Sequence, residues 1–192
     1  MNNKTIYRKQ CKRWDFPGNA HFLTFSCYQR RPFLNHDKTR LWFLSALEQS
    51  KRIHDFHLWA YVIMPEHVHL VIWPGKAKIS PILKSIKLPV ARRAVLWVKQ
   101  NQPDYLKRME DTQPNGKTVY RFWQRGGGYD RNLRGSRDIH EKIQYVHKNP
   151  LRRQLVSDLS RWPWSSWSNH CMKGNHHVQL NLESLPPDMG SY

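Results

Sequence analysis

The sequence predicts an α+β protein with a ferredoxin-like core, in which two helices cover one face of an antiparallel sheet. Stretches rich in β-branched and aromatic residues alternate with stretches of helical periodicity. Their order along the chain is β-α-β-β-α-β, which is the ferredoxin-like pattern. A seventh segment with helical periodicity follows, so we expect an additional C-terminal helix beside this core.

The first five elements are separated by turn residues. They are predicted as a strand over 21–28, a helix over 37–53, strands over 58–64 and 67–73, and a helix over 80–101. Pro65 separates the second and third strands, which favours a hairpin. Ser80 is expected to cap the second helix, and Pro89 to kink or interrupt it.

The later elements are predicted from weaker signals. Val119–Gln124 predicts the fourth strand, and Gly126–Gly128 a flexible break. The additional helix is expected over 137–148, capped by Ser136 and ended before Pro150. With two helices on one face of the sheet, the other face is expected to stay open for a site or a partner. We divide the chain into a basic N-terminal arm (1–19), one domain (20–155) and a C-terminal tail (156–192).

Composition points to a polyanionic partner. Lys and Arg number 32 against 14 acidic residues, a formal net charge of +18, which favours nucleic acid. An anionic membrane surface is disfavoured because the basic residues do not gather on one amphipathic helix. Three cysteines without a CxxC pair give no disulfide framework, and neither a signal peptide nor an apolar span is evident. We expect a soluble cytoplasmic protein.

His67 and His69 are the candidate metal ligands. Two residues apart on a strand, their side chains point to one face, while Val68, Leu70 and Ile72 point to the helix-covered face. A structural zinc site uses four protein ligands, so two histidines fit a catalytic site with a third ligand and open positions. The alternative is a chance triplet in a chain with 11 histidines.

Tyr145 is the candidate nucleophile. Ile139, Ile143 and Val146 form the apolar stripe of the last helix, and Tyr145 lies at the edge of that stripe. Asn149, one turn later, shares this flank. A tyrosine can attack a phosphodiester and form a phosphotyrosyl link. The alternative is a tyrosine that only packs on the flank of the helix.

Two motifs resemble those of the single-tyrosine transposases of the IS200 type. Tyr61–Leu70 (YVIMPEHVHL) is similar to their His-hydrophobe-His motif, and Tyr145–Pro150 (YVHKNP) to their tyrosine motif. A narrower resemblance is to the REP-associated tyrosine transposases, the branch linked to repetitive extragenic palindromes of bacterial genomes. It is carried by Phe122-Trp123-Gln124, Tyr129-Asp130, Trp162-Pro163 and Ser165-Ser166. Glu66 departs from the pattern, since many members carry Asn there.

The resemblance implies a fold, a chemistry and a substrate. The fold would be a ferredoxin-like HUH endonuclease core. His67, His69 and Asn149 would bind Mg²⁺ or Mn²⁺, and Tyr145 would attack single-stranded DNA to leave a 5′-phosphotyrosine and a free 3′-OH. The target would be a DNA hairpin, a REP palindrome, with a nearby single-stranded guide sequence. The protein would be cytoplasmic, associated with the bacterial nucleoid, and a monomer or a homodimer.

Basic residues are dense on both sides of the predicted fourth strand, which suits contacts to phosphates. The candidate DNA-binding residues are Arg92, Arg93, Arg121, Arg125, Arg131, Arg134, Lys148, Arg152 and Arg153. The N-terminal arm is expected either to clamp a hairpin stem or to be a disordered tail.

Two other functions fit parts of the sequence. A non-catalytic nucleic-acid-binding module with an RNA-recognition-like sheet would also be basic and rich in aromatic residues. A metal-dependent nuclease could use water in place of Tyr145. A covalent protein–DNA adduct distinguishes the transposase from both.

Overall fold

The computed structural model describes residues 18–171 and 177–188. Its helices and strands are β1 (Ala20–Ser26), α1 (Asp37–His54), β2 (His57–Ile63), β3 (His67–Trp73), α2 (Ile79–Asn101), β4 (Glu110–Thr112), β5 (Thr118–Tyr120), β6 (Tyr129–Leu133), α3 (Ser136–Arg152) and α4 (Trp167–His170). Most of the predicted N-terminal arm, residues 1–17, lies outside the described residues.

The main sheet has four strands in the order β2-β3-β1-β6, and every neighbouring pair is antiparallel. This order and direction are those of a ferredoxin-like sheet, so the predicted fold class is confirmed. β1 lies in the centre, where Thr24 is opposite His69 on one side and opposite Tyr129 on the other. Residues directly opposite share a face of the sheet, so these three side chains form a row across it.

One face of the sheet carries the larger hydrophobic core. α1 and α2 pack there, and Val68, Leu70 and Ile72 are fully buried beneath them, as the alternation of β3 predicts. Aromatic side chains fill much of the layer; the rings of Phe25 and Trp123, for example, meet edge to face with centroids 5.2 Å apart.

The other face of the sheet is not open, because α3 packs on it. The stripe of Ile139, Ile143 and Val146 is buried against Phe22 and Val71 of the sheet. The expectation of an uncovered face is therefore wrong. The apolar stripe of α3 has to be buried somewhere, and this is the sheet face that α1 and α2 leave free. The site thus lies between the sheet and α3, where His67 and His69 are 4% and 5% exposed.

The predicted fourth strand is also wrong. Only Val119 and Tyr120 of that stretch lie in a strand, β5, which pairs with β4 in a separate two-stranded ribbon. Phe122 and Trp123 are buried, but they follow this strand as an irregular segment that forms an isolated bridge, between Trp123 and Cys27, just after β1. The fourth strand of the main sheet is β6, which follows the three glycines.

The helix boundaries deviate from expectation by at most four residues. α2 begins at Ile79, so Ser80 is not its N-cap, and the helix continues through Pro89. α3 begins at Ser136 after Gly135, whose φ is +88°, and continues through Pro150 to Arg152. Proline removes one helical hydrogen bond, but the last turn is still closed by Arg153 N–H, which donates to Asn149 O at 3.0 Å.

The C-terminal segment lines the free edge of β2. Ser165 forms an antiparallel bridge with Val62, and Asn181 N–H donates to Leu58 O at 3.0 Å. Trp164 and Leu180 join the core under the α1 and α2 layer. The edge of the sheet is therefore capped by the same chain. Within the described residues, no helix combines the length and apolar content that crossing a bilayer needs.

Candidate active site

The two histidines of β3 converge on one point. Because their side chains alternate with Val68, both imidazoles project toward α3. Their Nε2 atoms are 3.0 Å apart, and the ring centroids are separated by 4.7 Å. Two nitrogen lone pairs that face each other at this distance repel, so the arrangement favours a proton or a cation between them.

Each imidazole is held from behind by a second side chain. His67 Nδ1 lies 3.0 Å from Glu66 Oε1, and His69 Nδ1 lies 2.7 Å from Thr24 Oγ1. A carboxylate only accepts hydrogen bonds, so Nδ1 of His67 carries the hydrogen, and Nε2 of the neutral ring presents a lone pair. Outer partners of this kind orient histidine ligands in metal sites.

Asn149 completes the group from α3. Its Nδ2 lies 3.1 Å from His69 Nε2, although the two residues are 80 positions apart. Its Oδ1 is buried without a hydrogen-bond partner among the described residues. Such an orphaned acceptor costs free energy unless a ligand satisfies it. A half-turn of the amide exchanges its oxygen and nitrogen, so Oδ1 can face the same point as the two Nε2 atoms.

Burial sets the charge of the site. It lowers the pKa of His69 to about 3, and the neighbouring His67 acts in the same direction. His69 is therefore neutral near pH 7, with its nitrogen available to a ligand. The hydrogen bond from His67 lowers the pKa of Glu66 to about 2, so Glu66 is a carboxylate. The site combines the buried, neutral imidazole of His69 with the carboxylate of Glu66 behind His67.

Tyr145 faces the histidines from α3. Its ring centroid lies 5.6 Å from that of His69 and 5.7 Å from that of Phe22, both edge to face. The side chain is half-buried. Lys142 Nζ lies 5.6 Å and Arg152 Cζ 5.1 Å from the same ring centroid. A phenol, two imidazoles and two cations thus meet where one phosphate group could bind.

The donor set fits a divalent cation. The described residues contain no group of three His, Cys, Asp or Glu arranged for a metal, and the amide of Asn149 is the further donor that lies within 3.1 Å of the histidine pair. Imidazole nitrogens with an amide oxygen leave positions for water or phosphate, as in a catalytic rather than a structural site. The orphaned Oδ1 of Asn149 is the observation that supports this fit.

Some predicted DNA-binding residues surround this site. Arg152 lies over the Tyr145 ring, and Arg153 Nη2 lies 3.1 Å from Glu66 Oε1. Arg131 is opposite Phe22 on β6, hence on the same sheet face, and pairs with Asp138 at 3.0 Å. Lys148 is exposed on α3, and Arg134 is exposed between β6 and α3.

The other four lie elsewhere. Arg92 and Arg93 are exposed on α2, which packs on the opposite face of the sheet, and Arg93 covers the Trp42 ring. Arg121 and Arg125 both pair with Asp111 of the β4–β5 ribbon. These four residues do not contribute to the histidine site, and their role in DNA binding stays a prediction.

The site also contains residues that were not predicted as such from the sequence, among them Lys142 at the Tyr145 ring. Thr24 supports His69, but its role depends on strand register, which the sequence does not display. Glu66 stands out in the sequence only as a departure from the family motif. Arg30 Nη2 lies 3.1 Å from Glu66 Oε1, and no sequence signal marks it.

Comparison with known proteins gives the family. The model of the family described as "Transposase IS200 like" matches residues 16–149. The chain is 24% identical over 173 residues to the REP-associated tyrosine transposase of Escherichia coli K12, with 87% of each chain covered. A Haemophilus influenzae protein is 23% identical over 148 residues, which are 77% of this chain and 74% of that relative.

A solved structure shows the same fold. It is described as a REP-associated tyrosine transposase bound to a REP hairpin, and it superimposes with a TM-score of 0.64 at 18% identity, covering 94% of this chain and 98% of that one. The family model spans more than half of the sequence and includes both histidines, Tyr145 and Asn149. The chain therefore belongs to the IS200-like transposase family.

Proposed function

We propose that this transposase cleaves and rejoins single-stranded DNA beside a hairpin, with Tyr145 as the nucleophile and a divalent metal at His67, His69 and Asn149. The observation that carries the proposal is the meeting of Tyr145 and His69 across the α3–sheet interface, at a centroid distance of 5.6 Å. A packing tyrosine would need neither the converging imidazoles nor the orphaned amide oxygen beside it.

The proposed step requires no external energy source. The Tyr145 phenol oxygen attacks the scissile phosphorus and loses its proton. A bond between Oη and phosphorus forms, the bond from phosphorus to the 3′ oxygen breaks, and that oxygen takes up a proton to become a free 3′-OH. The product is a 5′-phosphotyrosine. Attack by a 3′-OH reverses the step, so one phosphodiester is exchanged for another.

The side chains around Tyr145 have separate tasks. Lys142 and Arg152, whose charged groups lie 5.6 and 5.1 Å from its ring, hold a phosphate beside the phenol. Phe22 and the half-buried position on α3 fix the direction of the ring. His67, His69 and Asn149 would hold Mg²⁺ or Mn²⁺, which when bound polarises the phosphate and offsets charge that develops on its oxygens.

The proposed substrate is a hairpin of repetitive extragenic palindromes. The net charge of +18 supports a nucleic-acid partner, and the solved relative is described as bound to such a hairpin. Arg131, Arg152 and Arg153 lie on the α3 side of the sheet and are placed to hold the strand near the site. Because α3 packs on the sheet of its own chain, one chain supplies every proposed catalytic group, which supports a monomer. The proposed substrate is chromosomal DNA, so the proposed location is the cytoplasm beside the nucleoid.

The test is a covalent adduct assay. The protein is incubated with MnCl₂ or MgCl₂ and labelled single-stranded oligonucleotides copied from hairpins beside its gene, then run on a denaturing gel. We expect a slow band that needs the metal and is lost in Tyr145→Phe and His67→Ala. Tyr129→Phe is the matched control, since Tyr129 is an exposed tyrosine on the neighbouring β6 and should leave the band unchanged.

The other outcomes separate the alternatives. Cleavage that survives Tyr145→Phe would mean that water is the nucleophile. Salt-sensitive binding without an adduct or cleavage, for all hairpins tested, would identify a non-catalytic binding module.

A further inference from the structure

We propose that Glu66 is a positioning residue that joins the metal site to the end of the helix carrying Tyr145. This inference rests on the proposed function and deepens it. Glu66 immediately precedes His67, is only 8% exposed, and lies in the turn between β2 and β3. Its contacts, rather than its exposure to solvent, indicate a task.

One carboxylate oxygen of Glu66 gathers three donors. Oε1 lies 3.0 Å from His67 Nδ1, 3.1 Å from Arg30 Nη2 and 3.1 Å from Arg153 Nη2. These donors come from β3, from the segment after β1 and from the C-terminal end of α3. Charge-assisted bonds to a mostly buried carboxylate are stronger and more directional than those at an exposed surface.

The contact with Arg153 closes a ring through all three candidate ligands. Arg153 N–H donates to Asn149 O at 3.0 Å, and Asn149 Nδ2 lies 3.1 Å from His69 Nε2. His69 Nε2 is 3.0 Å from His67 Nε2, and His67 Nδ1 returns to Glu66. Arg153 thus reaches Asn149 through its backbone amide and Glu66 through its guanidinium, so Glu66 links the C-terminal end of α3 to His67.

The backbone conformation of Arg30 is unusual for a residue with a side chain. Arg30 has φ of +52°, in the left-handed region that residues with side chains rarely adopt. Such conformations persist where surrounding contacts determine them, and they concentrate at functional sites. Arg30 N–H donates to Cys27 O at 3.0 Å, which closes this turn, and the guanidinium reaches Glu66 from it. The same carboxylate also contacts Arg153 at the end of α3 and the candidate ligand His67.

The expected effect of Glu66→Gln follows from this dual contact. Glutamine keeps the shape of the side chain and an oxygen for His67, but it loses the charge that attracts both arginines. Removing a side chain that orients a metal ligand typically weakens metal binding about 10- to 100-fold. Arg153→Gln should weaken binding less, because the contact between Glu66 and His67 remains. The double variant should bind Mn²⁺ no more weakly than Glu66→Gln alone, because both substitutions break the same contact between Glu66 and Arg153.

The test measures Mn²⁺ binding without DNA, from the loss of the free-ion signal in electron paramagnetic resonance spectra of the full chain titrated with MnCl₂. Hydrogen exchange at the amide of Arg153, measured without metal, reports the end of α3 and should accelerate in both single variants. Glu141→Gln is the matched control, because Glu141 is an exposed carboxylate on α3 that pairs with Arg137 at 3.1 Å. Arg153→Lys, which retains the positive charge that Arg153→Gln removes, should keep most of the wild-type affinity for Mn²⁺.

Two results would overturn the inference in different ways. If the wild-type chain binds Mn²⁺ and loses it in His67→Ala, but Glu66→Gln binds like the wild type, then Glu66 is not a positioning residue and the proposed function stands. If neither the wild type nor any variant binds Mn²⁺ in the presence or absence of the hairpin, the metal site itself fails, and the inference falls with it.

Discussion

The side-chain amide of Asn149 lies within hydrogen-bond distance of the His69 imidazole, with Nδ2 and Nε2 3.1 Å apart. This contact joins β3 to α3, the helix that carries Tyr145. The other polar atom of the Asn149 amide, Oδ1, is buried without a hydrogen-bond partner among the described residues. Substitutions of Asn149 therefore test the proposed metal ligands without changing Tyr145, the proposed nucleophile.

We expect Asn149→Leu to weaken Mn²⁺ binding about tenfold or more, because it replaces the proposed oxygen ligand of α3 with an apolar group. Asn149→Asp should bind at least as tightly as the wild type, since a carboxylate is a stronger ligand for such ions. Both affinities can be measured by titration with MnCl₂. Unchanged binding in Asn149→Leu would remove Asn149 from the ligand set.

Gly128 is expected to be intolerant of any side chain. A Cβ there would lie 2.0 Å from Thr24 O and 3.0 Å from Phe25 Cα, and φ is +80°. Gly128→Ala should force β6 away from β1 beside Thr24, the partner of His69. We expect a loss of more than about 3 kcal/mol in the free energy of unfolding, measured with urea.

Gly126→Ala provides the comparison for this variant. Gly126 has a similar φ of +86°, but a Cβ there would meet nothing within 4 Å. Only backbone strain should appear, about 1 kcal/mol. Equal losses in the two variants would show that contact with β1 does not matter.

Ser166 is expected to stabilise the C-terminal segment against β2. Its hydroxyl accepts from Tyr61 N–H at 2.8 Å, lies 2.9 Å from His147 Nε2, and is fully buried. Ser166→Ala leaves a buried N–H without its acceptor, which should cost about 1–3 kcal/mol of unfolding free energy. The neighbouring Ser165→Ala should cost less, because its contacts with Trp162 O and Trp167 N are long, at 3.3 and 3.4 Å. The reverse ranking in urea denaturation would contradict this account.

Cys27 is expected to resist thiol reagents in the folded protein. It is fully buried, and burial raises the pKa of its thiol far above the usual range, so the reactive thiolate does not form at pH 8. Cys171 is partly exposed and should react. Peptide mapping after a short treatment with iodoacetamide should find label on Cys171 and none on Cys27. In urea both should be labelled, and early labelling of Cys27 without denaturant would indicate that this part of the core opens.

The sequence was most informative for elements whose buried apolar side chains recur at the spacing of a helix or a strand. β1, α1, β2 and β3 lie within a few residues of their predicted positions, because each carries apolar side chains at the spacing of its structure. The alternation of His67 with Val68 correctly placed the histidines on the face away from α1 and α2. Tyr145 and Asn149 were predicted to share a flank of their helix, and both meet His69 in the structure.

Elements that lack such a period were not predictable. β6 is an edge strand in which only Leu133 is buried, so its polar sequence has no apolar alternation. Phe122 and Trp123 mimic a strand because they are large and apolar, yet they fill the core from an irregular segment. The apolar stripe of α3 was visible in the sequence, but the surface that buries it was not. Contacts such as Glu66 with Arg153 depend on two segments that meet only after folding.

The packing of α3 also has a consequence for biosynthesis. The histidines of β3 emerge from the ribosome early, whereas Tyr145, Asn149 and the supporting Ser166 emerge some 75 to 100 residues later. A nascent chain that ends before α3 would carry the basic sheet without the proposed nucleophile or the third ligand. The ability to break a DNA strand would thus arise only when α3 docks, so truncated or incompletely folded products would be harmless to the chromosome that encodes them.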